Sequence, residues 1–308
     1  MTFIADEIDI IAASVVGRGH ARAGRGSQDA VVVRRVGDAV VVVVCDGCSA
    51  GEASELGAGV GARVAAAALA RRLRAGAPLD AALAAIVVDE LAAALAGLVP
   101  LLGGDDEVEA TIGAALLATL QVVVATPARW LAFGVGDGVL RKDGVALAVP
   151  AADDGAPDCV AYRLLPGLQQ HARLVVHGAG AAWSTLTVGT DGAAELLGRH
   201  DEALPSGERF GGLPLFERDP RFARNPGLAR KRVLALGDRG PTDDCTFVVL
   251  RRTTTATTAT TTATTTAMTV TTTRTTGDAP AARGDDDRAG CDDVGLVCLL
   301  PLRGTPCA

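Results

Sequence analysis

Four short acidic motifs, Gln28-Asp29-Ala30, Asp46-Gly47, Thr190-Asp191-Gly192 and Asp243-Asp244-Cys245-Thr246, hold the residues best suited to chemistry in this sequence. Taken singly, an Asp beside a Gly reads as a turn, because its side chain bonds nearby backbone and Gly accepts turn conformations. Taken together they read differently. Asp46 follows an unbroken apolar run where a strand would leave the core, and Asp191 and Asp243 flank strands in comparable places. Carboxylates gathered at strand ends repel one another, and protonation or a bound cation relieves that repulsion. Hard oxygen ligands favour magnesium or manganese over zinc.

Other residue types offer less. The 7 cysteines are an odd count spread along the chain, which does not suit a disulfide framework and reads as small buried hydrophobes. Cys45 and Cys48 form a C-x-x-C, but no second such pair completes a zinc site. Cys245 has no basic partner nearby in sequence that would make it a thiolate. His171, His177 and His200 lack ligand spacing to one another and read as structural or exposed.

The elements that must position the aspartates follow from hydrophobic patterning. Ala30 to Val44 holds two β-branched runs separated by Gly37-Asp38, which predicts a hairpin. Glu55 to Leu73 and Leu79 to Leu98 read as two Ala-rich helices separated by Gly76 and Pro78. Thr111 to Ala125, Trp130 to Val135 and Val139 to Val149 read as an antiparallel meander, with Gly136-Asp137-Gly138 at one of its turns. Val160 to Leu165 and Leu174 to His177 are predicted as a strand pair, Trp183 to Val188 as a strand, and Ala193 to Leu197 as the start of a helix. Leu213 to Leu236 reads as helical with breaks at Pro220 and Pro226, and Thr246 to Leu250 as a last strand. This order suggests an α+β layered sandwich rather than alternating parallel units.

Hydrophobic residues make up 49% of the 308 residues and aromatics only 3%, so the core must be built from Ala, Val and Leu. A formal net charge of -7 argues against a nucleic-acid partner, since phosphate backbones are bound by clustered Lys and Arg. Arg230-Lys231-Arg232 is a small basic patch, and it reads as a solvated helix face. Asp6, Glu7 and Asp9 stand where a secretory signal would need positive charge and an apolar run, so a cytoplasmic protein is expected. The apolar stretches Val64 to Ala70 and Ala81 to Leu98 read as buried helices rather than membrane spans.

As an ordered set, several motifs resemble the protein phosphatase 2C family, and more narrowly its bacterial branch. They are Gly17-Arg18-Gly19-His20 through Ser27-Gln28-Asp29-Ala30, Cys45-Asp46-Gly47-Cys48-Ser49-Ala50-Gly51 with Ser54-Glu55-Leu56-Gly57-Ala58, Ala118-Thr119-Leu120, Gly136-Asp137-Gly138, Thr190-Asp191-Gly192 and Asp243-Asp244-Cys245-Thr246. The resemblance implies a four-layer α-β-β-α sandwich, two antiparallel sheets packed face to face and flanked by helices, with a metal cleft at one end. It implies two Mn2+ or Mg2+ ions and hydrolysis of phosphoserine or phosphothreonine by a metal-bound water. Asp46 would bridge the metals, the carbonyl of Gly47 would bind one, Asp191 and Asp243 would ligate the other, and Asp29 would hold a metal-bound water. Asp137, with Asp191, matches the position of a weaker third metal.

The chain departs from the family pattern in two places. Gln28 stands where many members have Glu, and it remains a candidate metal ligand through its amide oxygen. Gly24 occupies the place of the phosphate-binding arginine, with Arg22 and Arg25 on either side as candidates for the substrate phosphate. His20 matches a histidine of the bacterial branch and is a candidate proton donor. These departures keep open a pseudophosphatase that binds phosphoproteins without turnover, and a hydrolase of small phosphate esters also shares the metals. The implied partner is a phosphorylated protein, the substrate of a Ser/Thr kinase.

The resemblance covers about residues 10 to 252, so 1–252 is expected to be the catalytic domain. Residues 253–308 open on a Thr/Ala tract, Thr253 to Thr276, without apolar periodicity, and are expected to form a low-complexity, disordered tail. That tail is also a candidate phosphorylation target or tether. Asp292-Asp293 ahead of Val294 mimics the Asp243-Asp244 junction and is read as coincidence, and Val294 to Leu302 as either a docked strand or an unstructured end.

Overall fold

The computed structural model describes residues 8–103, 107–147, 157–253 and 297–298. The valine runs form the predicted hairpin: β2 (Ala30–Val36) pairs with β3 (Ala39–Cys45) around Gly37, whose φ of 59° is one that glycine adopts at little steric cost. β3 pairs with β4 (Leu120–Ala125), β4 with β5 (Trp130–Val135) and β5 with β8 (Leu174–Gly180), all antiparallel, making sheet II. Val297–Cys298, β11, adds to its β2 edge opposite Val33 and Val32. Sheet I runs in the order β1 (Ile8–Val15), β10 (Cys245–Arg252), β9 (Thr185–Gly189), β6 (Val139–Lys142), β7 (Val145–Ala146), again antiparallel.

Alternation along the strands sorts the core into three interfaces, and these define four layers. Val40, Val42 and Val44 of β3 pack with Val123 and Ala132 of sheet II against Leu186, Val188, Val248 and Leu250 of sheet I. The other face of β3, Val41, Val43 and Cys45, packs beneath α2 (Ser54–Arg74) and α3 (Ala81–Leu102). β3 is therefore buried on both faces, which is why its sequence is apolar without alternation. The outer face of sheet I, with Cys245, Phe247 and Val249, is covered by α6 (Gly212–Arg218), α7 (Arg221–Arg224) and α8 (Leu228–Leu234). Four of the 6 phenylalanines gather there: Phe216 stands 4.8 Å from Phe222, 4.9 Å from Phe247 and 6.0 Å from Phe210, centroid to centroid.

The α-β-β-α sandwich is the architecture expected, and the hairpin, both long helices and the Pro-broken helical segment are where the sequence puts them. By length and composition α3 is apolar enough to cross a bilayer, and here it buries Leu83, Val87, Leu91 and Leu95 against α2 and sheet II. It also runs past the expected stop at Leu98, through Pro100, to Leu102.

Three local expectations need correction. Thr111 to Ala125 is not one strand: α4 (Val108–Thr111) leads into a π-helical turn, Ile112–Leu116, and the strand begins only at Leu120. That turn lies against α2 so tightly that a Cβ on Gly57 would sit 2.8 Å from the backbone of Leu116. The meander also fails, since β5 and β6 belong to different sheets. Gly136 and Gly138, with φ of 90° and 138°, carry the chain across at the point read as a simple turn. Val160–Leu164 is a 3-10 helix packed on α3 rather than a strand. β1 was not anticipated, because its partner lies at the far end of the domain. The Thr/Ala tract beyond Thr253, Asp292-Asp293 and most of Val294 to Leu302 lie outside the described residues.

Candidate active site

Both sheets end their chemistry-bearing strands at the same edge of the sandwich. Asp29 immediately precedes β2 and Asp46 immediately follows β3, and the pairing of Ala30 with Cys45 places these two aspartates side by side. From sheet I, Asp191 follows the end of β9 and opens the short helix α5 (Asp191–Ala194), while Asp243 precedes β10. The N–H of Thr190 donates to Thr246 O at 2.9 Å, which holds these two strand ends together. Thr190 Oγ1 donates to Asp29 Oδ2 at 3.1 Å and so joins the two sheets at the site.

Glycines permit this approach. A Cβ on Gly17 would lie 2.2 Å from the carbonyl carbon of Asp243, and one on Gly192 would lie 2.1 Å from Asp244 O. The Asp243–Asp244 segment is thus sandwiched between two residues that can carry no side chain. Glu195, just after α5, accepts from the N–H groups of Thr242 at 2.9 Å and Asp243 at 3.3 Å. It ties the helix bearing Asp191 to the loop bearing Asp243. Glu195 was invisible to sequence reasoning, because it stands in no spacing that points to the site; Thr190 was legible as part of the Thr190-Asp191-Gly192 motif but not as the residue that bonds Asp29.

The carboxylates crowd one another as the clustering argument requires. Burial pushes the Asp29 carboxyl up to about 8, with the Asp244 charge adding to it. Asp46 is raised well above the usual carboxylate range by burial and by the charges of Asp29, Asp191 and Asp243. Asp243 is raised by burial and by Asp191 and Asp244, and Asp137 by burial and by Asp191. Asp191 thus acts on Asp46, Asp243 and Asp137 alike.

These residues fit a hard divalent cation. Asp29 Oδ1 and Gln28 Oε1 are buried acceptors with no hydrogen-bond partner. Gly47 sits in an isolated bridge with Ala118, flanked by Thr119 N–H to Asp46 O at 2.8 Å and Cys48 N–H to Leu117 O at 3.0 Å. Its own carbonyl takes no part in those bonds. An all-oxygen set with several negative charges and orphaned acceptors is the donor chemistry of magnesium or manganese.

The remaining candidates lie around this centre. The Gln28 carboxamide donates to Ser54 Oγ at 2.6 Å and to Gly51 O at 3.4 Å, leaving Oε1 as its unused atom. His20 is on α1 (Arg18–Arg22), with Nδ1 2.8 Å from Asp244 Oδ2. Ligand atoms of His20, Asp243 and Asp244 lie within 4.8 Å of one another. Arg22 and Arg25 are exposed on the same loop, and no ion pair involves either among the described residues. Arg18 is committed elsewhere, donating to Gly240 O at 2.8 Å and Thr242 Oγ1 at 3.1 Å. His177 and His200 are not among these ligand atoms, and in the basic patch Arg230 and Lys231 are exposed as a solvated helix face, with Arg230 donating to Ser14 O and Arg232 to Phe210 O.

Comparison with known proteins agrees with this geometry. The family model for protein phosphatase 2C matches residues 16–218, well over half of the chain. A bacterial serine phosphatase superposes with a TM-score of 0.50 at 12% identity, covering 80% of this chain and 98% of its own. The serine/threonine phosphatase Stp1 from Staphylococcus aureus gives 0.51 at 11% identity, covering 82% and 98%. The S. agalactiae serine/threonine phosphatase gives 0.50 at 12% identity, covering 80% and 100%. No curated protein matches by sequence. Likeness at such identities shows a shared fold, and the family match goes further: this chain belongs to the protein phosphatase 2C family.

Proposed function

We propose that this protein is a metal-dependent phosphoprotein phosphatase that hydrolyses phosphoserine and phosphothreonine, with residues 1–252 as its catalytic domain. The observation that carries this reading is the convergence of Asp29, Asp46, Asp191 and Asp243 from two sheets on one cluster with unused buried acceptors. Asp46, the Gly47 carbonyl, Asp191 and Asp243 would hold two divalent ions, with Asp137 available to a third and Gln28 Oε1 as a further oxygen. When bound, such ions supply Lewis acidity that activates water and neutralises phosphoryl charge.

The chain's own residues do the rest. Thr190 fixes the Asp29 carboxylate, whose free Oδ1 can orient a water. His20 donates from Nδ1 to Asp244, so Nε2 is the atom left to hand a proton to the departing serine or threonine oxygen when the ring is protonated. Arg22 and Arg25, exposed beside it, suit the substrate phosphate and the flanking peptide. The substrate would be a phosphoprotein made by a Ser/Thr kinase, met in the cytoplasm.

A phosphothreonine peptide assayed with and without manganese tests this. Native protein should release phosphate only with the metal, and Asp46→Asn should lower turnover on the order of a thousandfold. The Gln28 carboxamide held on Ser54 favours a second reading, a scaffold that binds phosphoproteins without turnover. Native protein that binds manganese but is inert, with activity appearing in Gln28→Glu, would establish that reading instead.

A further inference from the structure

One aspartate at this site has a donor on each of its two oxygens. Asp244 is 1% exposed, and its carboxylate receives three donors. Oδ1 accepts from Gly17 N–H at 2.7 Å; Oδ2 accepts from Gln28 N–H at 2.6 Å and from His20 Nδ1 at 2.8 Å. Gly17 and Gln28 are the two feet of the loop that carries His20, Arg22 and Arg25, and His20 lies between them. A single side chain therefore closes this loop at both ends and fixes its histidine ring. The same residue follows Asp243 directly, and Asp244 N–H donates to Asp243 Oδ1 at 2.8 Å. Backbone bonds run alongside, from Arg18 N–H to Pro241 O and from Gly19 N–H to Thr242 O.

We propose that Asp244 is a positioning residue that locks the Gly17–Gln28 loop to the Asp243 strand end, so that the substrate-phosphate loop and the metal centre form one rigid unit. This rests on the phosphatase reading for what the loop does, and on geometry alone for how it is held. The chemistry demands a carboxylate. An Asn here has one accepting oxygen and one NH2 group, so it must set a donor against either the Gly17 N–H or the Gln28 N–H. Hydrogen bonds to a charged acceptor are stronger than neutral ones, so this exchange weakens the clamp while leaving side-chain volume unchanged.

The test compares native protein with Asp244→Asn by site-resolved amide exchange, 15N spectra of His20, and calorimetry with Mn2+ alone and then with inorganic phosphate. In native protein the Gly17 and Gln28 amides should exchange at least about tenfold more slowly than that of the exposed loop residue Gly26, and His20 should carry its proton on Nδ1. In Asp244→Asn that protection should fall about tenfold or more, the His20 signal should move, and phosphate should bind about tenfold more weakly, while Mn2+ affinity stays within about threefold. Unprotected Gly17 and Gln28 amides in native protein overturn the proposal even where the variant does not fold. It is also overturned if Asp244→Asn leaves loop protection and phosphate binding unchanged, or if Mn2+ and phosphate affinity fall together, which would make Asp244 a ligand. Failure of native protein to hydrolyse a phosphopeptide would sink the phosphatase reading and leave the exchange result standing.

Discussion

Sheet II delivers Asp29 and Asp46 from the two ends of one tight hairpin, whereas sheet I delivers Asp191 and Asp243 from segments far apart in sequence that meet where β9 pairs with β10. The first pair is set by the hairpin register and shielded: Asp29 is buried, and burial is the leading cause of the upward shift at both residues. Of the second pair, Asp191 is exposed and Asp243 is half-buried, and their loops are held by Glu195, Gly17 and Gly192. One half of the site is positioned by its strand ladder, and the other by a few tertiary contacts. Charge must be compensated in the first half, and geometry must be enforced in the second.

Substitution of the ligands should separate the halves most strongly. Asp191→Asn and Asp243→Asn should each weaken Mn2+ binding by at least about tenfold to a hundredfold, the range seen when groups supporting a metal are lost. Excess metal should restore part of their activity, whereas Asp46→Asn, at the junction of both halves, should stay inactive at any manganese concentration. Calorimetric titration alongside phosphate release checks this, and equal rescue of all three would erase the distinction.

The next effect is one of pH. Without metal, the folded-state value of Asp29 is raised from 3.8 to about 8. A carboxyl raised on folding favours the fold fully below its unfolded value, and that contribution is lost as pH rises through the folded value. The Tm of metal-free protein should therefore fall between about pH 4 and pH 8, the fall should be shallower in Asp29→Asn, and saturating manganese should suppress it. A flat profile in native protein would show that the sheet II pair is hydrated rather than shielded.

Glu195→Gln should have the smallest effect. It keeps an accepting oxygen for the Thr242 and Asp243 N–H groups but loses the ion pair with Arg199, so metal affinity should fall only a few-fold. Glu195→Ala, which removes the acceptor, should fall further, and the gap between the two measures how much of the sheet I half depends on that contact.

The same contrast explains what could be read from the sequence. The hairpin, α2, α3 and the four aspartates were legible because period, turn residues and an apolar run ending in Asp are local signals. β1 was missed because its only described strand partner is β10, paired through Ile8 and Arg252. Ile112–Leu116 looked like a strand because its residues are apolar and β-rich at the edges, yet the bare backbone at Gly57 gives it a helical seat. Asp244 was visible as a letter but not as a clamp, since its donors come from Gly17, His20 and Gln28 at the other end of the chain.

The pairing of β1 with β10 also bears on how the molecule is made. β2 and β3 can pair as soon as both have left the ribosome, whereas β1 must wait for Cys245–Arg252, and joining segments so distant is the slow part of assembling a fold. Until then the inner valines of sheet II have no opposing sheet, which leaves an apolar face open to aggregation or to chaperones during synthesis. Asp191 and Asp243 arrive with that last closure. The site is therefore completed only when the domain is, and a partly made chain lacks the full set of carboxylates with which to capture a metal.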